Sequence, residues 1–186
     1  MKCAISLLAA LIVSGVAGGA AQQPVNARAE VLKDFVQRVD QYAAMHRKLD
    51  RTLPKLPTQT TPAEADAHER ALGKLIQQAR SNAKPGDIFT PAMQQLVRTL
   101  LVPIFQGPGG NQIKYEITDN EYKGDAPIAV NARYPDVVPL STMPPQVLAA
   151  LPKPPEELEY RFVRTTLILL DPGAHIIADY MEHAFK

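Results

Sequence analysis

The chain has 186 residues, 20 Lys+Arg against 19 Asp+Glu, a formal net charge of +1 and one cysteine. A balanced charge leaves no electrostatic footprint for nucleic acid or an anionic lipid surface, and a single cysteine excludes a disulfide framework and any Cys-based zinc or iron–sulfur site. With 46% hydrophobic residues and 17 prolines, the composition suits one domain that buries a real core yet contains stretches where regular structure must be short.

The first 21 residues read as a signal peptide. Met1-Lys2 is a short positive start, residues 5–16 are mostly apolar, and Ala17, Gly18, Gly19, Ala20 and Ala21 are the small residues a signal peptidase accepts. Cleavage is expected after Ala21, with Ala20 as the alternative, and an uncleaved anchor is the competing reading. Cleavage removes Lys2 and Cys3, so the mature chain, residues 22–186, is expected to be neutral and cysteine-free. Its expected place is the periplasm or outside the cell, with no stable membrane insertion. It is expected to form a single α+β domain, with a helical part over 27–105 and a proline-rich and β part over 113–186.

Along residues 27–53, Leu32, Phe35, Val39, Tyr42, His46, Leu49 and Leu53 recur in steps of three and four, which predicts one long amphipathic helix ended by Pro54 and Pro57. Thr61-Pro62-Ala63-Glu64 combines an N-cap, a proline at the first helical position and a glutamate placed to close a capping box. The second helix carries Ala65, His68, Leu72, Leu75 and Ala79 on one stripe and stops near Ala83. Residues 84–87 are turn chemistry, and Thr90-Pro91 opens a third helix bearing Met93, Leu96, Val97, Leu100, Leu101 and Ile104, with Pro103 placed to shorten or kink it. Residues 106–112 read as a flexible loop. Ile113, Tyr115 and Ile117 alternate with polar residues, which suits a short strand, with helical continuation as the alternative.

Residues 127–155 contain eight prolines but also Val130, Tyr134, Val137, Val138, Leu140, Val147, Leu148 and Leu151. So many apolar residues argue for a rigid wrap over the core, with an extended piece over 128–134 and a helical turn over 145–151. Residues 158–163, 166–170 and 175–181 are rich in β-branched and aromatic residues, and Asp171-Pro172-Gly173 is turn chemistry between the last two, so a small antiparallel sheet of two or three strands ends the chain. Asp179 and His183 read as surface residues at a strand end and frayed terminus. Glu156, Glu157 and Glu159 read as a solvated charge run.

His46 and His68 each sit on the apolar stripe of a helix, where leucine or alanine is the ordinary choice. A loop of about ten residues between the helices predicts an antiparallel hairpin that brings the two imidazoles close. Such a pair can hold a divalent transition metal, Zn²⁺ or Cu²⁺, with Asp50 or Glu64 completing the set, or act as a pH-sensitive contact. The plainer alternative is a pair of neutral, hydrogen-bonded histidines at the interface. His68-Glu69 lacks the second histidine of a zinc-protease helix, because position 72 is Leu, and residues 107–110 lack the Lys-Ser/Thr pair of a phosphate loop. No set of residues reads as a catalytic triad, so no catalytic residue is assigned.

Several stretches together carry a resemblance: residues 35–42 leading to 46–49, the run Pro85-Gly86-Asp87-Ile88-Phe89-Thr90-Pro91, residues 130–135, and residues 158–163 before 167–171. In these the chain resembles a family of exported bacterial proteins with no assigned activity. The resemblance implies a single domain behind a signal peptide and brings no catalytic residues. The expectation is a non-enzymatic envelope module, monomer or homodimer, that contacts another envelope protein or component. The alternative is a metal-binding or metal-dependent protein using His46 and His68.

Overall fold

The structure, a computed structural model, describes residues 23–118, 128–136, 138, 139, 141 and 143–185. The leader expected over 1–21 lies outside these residues, as do Val137 and Leu140 of the proline-rich stretch. The architecture is α+β: five helices precede a three-stranded antiparallel sheet. No helix of the described residues is long and apolar enough to cross a membrane.

Helix α1 (Gln23–Asp50) buries Phe35, Val39, Tyr42 and Ala43 along its apolar stripe. It ends one turn earlier than the periodicity implies, because Leu53 packs on the core from the following turn. Helix α2 (Pro62–Ala79) starts at the predicted capping box: Thr61 Oγ1 accepts from the Glu64 N–H at 3.3 Å and Glu64 Oε2 accepts from the Thr61 N–H at 2.8 Å. Helix α3 (Pro91–Gln106) is capped by Thr90, whose Oγ1 accepts from the Met93 N–H, and it runs on past Pro103.

The short strand expected at 113–117 is instead helix α4 (Gly110–Thr118). Ile113 and Ile117 lie four residues apart and so share one helical face; Ile117 is buried, Ile113 packs against the core, and Tyr115 is exposed. Three alternating apolar residues satisfy both periods, and the glycines decide between them. The loop expected over 106–112 shrinks to three residues because α4 turns back directly against α3. A Cβ on Gly110 would lie 2.3 Å from the Phe105 carbonyl oxygen, so only glycine permits that approach.

Strands β1 (Glu159–Val163), β2 (Thr166–Asp171) and β3 (Ile176–Met181) pair in chain order. Strand β2 is buried on both faces. Leu167 and Leu169 join Phe35, Leu72, Ile76, Met93 and Val97 in the core beneath the helices, while Ile168 and Leu170 join Tyr134, Val138 and Ile177 on the opposite face. Ile128, Tyr134 and Val138 cover that second face, and residues 131–134 close the outer edge of β3. The Asn131 and Tyr134 N–H groups donate to Ile177 and His175 carbonyls at 2.9 and 2.8 Å, and the Ile177 N–H donates to Ala132 at 2.9 Å. The wrap then crosses to the helical side, where α5 (Pro145–Ala150) sends Val147, with Leu151 just after it, into the main core.

Two expectations at the end of the chain are overturned. The terminus is packed rather than frayed: Phe185 stacks on Phe105 at 4.3 Å and meets Phe162 edge-on at 5.3 Å, and the Ala184 N–H donates to Thr165. Asp179 is fully buried rather than exposed. The register explains why. Ile176 opposes Asp171 and Ile177 opposes Leu170, but Leu169 opposes Asp179, so a bulge inserts one residue into β3. Strict alternation from Ile177 would keep Asp179 on the wrap face. The bulge turns it to the helical face, where the Gly86, Ile88 and Phe89 N–H groups donate to its carboxylate at 3.1, 2.7 and 2.7 Å.

Candidate functional site

The polar centre of the helical face is built on Asp171, the last residue of β2 and the first of the turn to β3. Its side chain is fully buried. Oδ1 accepts from the Ala174 N–H at 2.9 Å, which closes the Asp171–Ala174 turn. Oδ2 accepts two hydrogen bonds from α1: the Tyr42 hydroxyl at 2.9 Å and His46 Nδ1 at 2.6 Å. Tyr42 and His46 are four residues apart on the buried stripe of α1, so one turn of helix delivers both donors to one carboxylate.

The chemistry assigns the protons. An ionised carboxylate only accepts, so His46 carries a proton on Nδ1, and Nε2 is the nitrogen that gains or loses one. Burial pulls the His46 pKa down, but the hydrogen bond and charge of Asp171, helped by Glu157 and Asp50, outweigh it, and the net shift is upward. The His46 side chain is 12% exposed, and among the described residues Nε2 has no hydrogen-bond partner. Tyr42 is pushed well above its ordinary range by burial and by Asp171, so its phenol remains a donor. Gly173 makes room for the ring: a Cβ there would lie 3.1 Å from His46 Cε1 and 3.6 Å from Nε2.

Of the four residues proposed as metal ligands, the structure joins only two directly. His68 Nε2 lies 2.8 Å from Asp50 Oδ1, in a pair whose carboxylate is 45% exposed. That contact is one helical turn along α1 from the one the hairpin register predicts, so His68 meets Asp50, and His46 turns to the sheet. Glu64 is occupied in the α2 cap. Among the described residues no group of three or more His, Cys, Asp or Glu side chains is placed to hold a metal ion.

The acidic run is less solvated than its composition suggests. Glu157 is 14% exposed and accepts from Arg47 Nη1 at 2.7 Å, and its pKa stays below the ordinary value because that bond and the Arg47 and His46 charges outweigh its burial. Glu159 pairs with Arg161 at 2.8 Å, and Glu156 is exposed. His175, the histidine after the β2–β3 turn, belongs to a separate cluster in which Arg133 Nη2 reaches Glu69 and Asp136 at 2.6 and 2.9 Å. His183 is exposed, as expected.

Sequence reasoning reached His46 and His68 but missed Asp171, Tyr42 as a polar group, Asp179 and Arg80. A signal existed for the two aspartates. Each is the carboxylate of a strand otherwise composed mainly of buried-type residues, and a carboxylate in that setting needs partners.

The proline-rich wrap forms an open groove of about 680 Å³ between α5 and β1. Met143, Pro145, Leu148, Leu151, Pro154 and Pro155 supply its apolar lining, Lys153 and Glu156 stand among its polar residues, and Leu148 is 49% exposed. Compared with known proteins, the chain matches no family model, no curated protein and no solved structure.

Proposed function

We propose that the chain is an exported envelope protein that acts, after removal of its leader, as a non-enzymatic binding module in the periplasm or outside the cell. The observation that carries this reading is the wrap groove. Prolines at 144, 145, 152, 154 and 155 restrict the backbone on both sides of α5, so the groove is held in shape before any partner arrives, which lowers the ordering cost of association. Its half-exposed Leu148 is the apolar anchor and Lys153 and Glu156 are rim charges, an arrangement that suits a protein surface better than a polyanion. Balanced charge supports the same choice, and the resemblance to exported proteins supports the location. The active species is a monomer or homodimer.

The test is position-specific photocrosslinking in cells, with the reactive residue at position 148 and, as control, at Lys33 on the exposed side of α1. One reproducible adduct at 148, absent at 33 and abolished by Pro145→Gly with Leu151→Ala, is the expected result. Identical patterns at both positions would discard the reading. The mass of the protein recovered from the envelope checks cleavage after Ala21. A stoichiometric metal in that material, lost in His46→Ala/His68→Ala, would replace the binding module with the metal reading.

A further inference from the structure

A second cleft, about 330 Å³, opens between α1 and the turn joining α2 to α3, and Arg38, Tyr42, Met45, Arg80, Asp87 and Ile88 line it. Its feature is a cation without a direct ion-pair partner among the described residues. Arg80, the C-cap of α2, is largely buried, with its guanidinium 5.0 Å above the Tyr42 ring. Nη1 donates to Asn131 Oδ1 and to the Ala178 carbonyl, both at 2.9 Å. Both acceptors are neutral, and among the described residues no carboxylate lies within ion-pair distance of Arg80. Nε and Nη2 have no protein acceptor there. Burial lowers the Arg80 pKa, and the charges of Asp179 and Asp87 nearby offset that only in part.

The opposite wall supplies a second guanidinium. Arg38 spends Nε on Asp34 at 2.8 Å and Nη1 on the Asp87 carbonyl at 2.7 Å, which leaves Nη2 unused among the described residues. These bonds fix the Arg38 side chain in the lining of the cleft. Tyr42 stays an un-ionised phenol because burial and the neighbouring Asp171 both disfavour its anion, so the floor adds no negative charge. Met45 and Ile88 are the apolar walls.

We propose that this cleft binds a small organic monocarboxylate, held side-on by Arg80 Nε and Nη2 and by Arg38 Nη2, with its apolar body against Met45 and Ile88. A guanidinium edge matches a carboxylate in a bidentate pair, and a ligand that supplies the direct ion-pair partner Arg80 lacks offsets the cost of its burial. Asp87 sets the limit on charge. Together with Asp34, paired to Arg38, and Asp179, whose charge reaches Arg80, it leaves no excess positive charge at the cleft, so a dianionic phosphate is disfavoured relative to a monoanion. The cleft volume sits at the lower end of the range for small-molecule sites. The site is separate from the wrap groove and does not depend on it.

The experiment titrates the full chain with sodium benzoate and, separately, with inorganic phosphate at constant ionic strength, and follows methionine methyl resonances by NMR, with Met45 assigned from Met45→Leu. Saturable movement of Met45 with benzoate is expected, with Met93, Met143 and Met181 unmoved. Arg38→Gln, a substitution in the cleft lining, is expected to weaken binding about fivefold or more, and Arg80→Lys about tenfold or more, because each removes guanidinium donors from the pair. Should Arg80→Lys not fold, Arg38→Gln decides alone. A still Met45 resonance, equal affinity in Arg38→Gln, or phosphate binding as tight as benzoate would each overturn the proposal.

Discussion

Asp171 and Asp179 lie eight residues apart on one β-hairpin, face the same helical layer and are both completely buried, yet their partners differ in kind. Asp179 is held by the backbone N–H groups of Gly86, Ile88, Phe89 and its neighbour Tyr180. Asp171 takes one backbone N–H and two side-chain donors, Tyr42 and His46. A carboxylate surrounded by amides has partners that neither titrate nor leave, so it fastens the α2–α3 turn to the sheet. A carboxylate that holds an imidazole shares a site where a proton comes and goes near neutral pH. The pair teaches that burial alone does not mark a functional carboxylate; the chemistry of the donors does.

The largest expected effect tests the structural member. Asp179→Ala leaves several buried N–H groups without an acceptor and should cost about 4 kcal/mol in urea-unfolding free energy. Asp171→Asn should cost less, about 2–3 kcal/mol, because the amide oxygen can still accept one of the two α1 donors. The same substitution should lower the His46 pKa, followed by NMR, because burial is then no longer outweighed by the Asp171 charge. If Asp171→Asn proves as damaging as Asp179→Ala while leaving His46 unchanged, the distinction between the two carboxylates collapses.

The pH dependence follows from the upward shift of His46. Its folded pKa lies above the unfolded value of about 6.5, so the protonated pair contributes stability in full below that value. The contribution is lost as pH rises through the raised folded pKa. His46→Ala should remove that pH dependence, measured by denaturant midpoints from about pH 6.5 upward. The exposed counterpart sharpens the contrast. A double-mutant cycle on His68 and Asp50 should give a coupling below about 1 kcal/mol, since a carboxylate open to solvent is screened.

Much of the helical layer was legible because its signals are local. The Thr61 capping box and the Thr90-Pro91 start depend on residues within one turn, and both hold in the structure. The β2–β3 turn at Asp171-Pro172-Gly173 and the helical turn after Pro144 are local in the same sense. His46 stood out because an imidazole on an apolar stripe calls for a partner. Its partner did not, because Asp171 lies 125 residues away in sequence, and a turn aspartate already has a sufficient local explanation.

Residue order by itself determined the three leading helices, the capped starts of the second and third, the three-stranded ending and the polar residue types in the middle of apolar stripes. Tertiary structure alone decided which of those residues meet. A three-residue loop and a glycine contact made 110–118 a helix, a one-residue bulge turned Asp179 inward, and a stagger of one helical turn sent His68 to Asp50 while His46 reached the sheet. The physical reason is common to all three. Periodicity specifies a face, but a shift of one residue in a strand or one turn in a helix costs little locally and is selected only by packing across the whole domain.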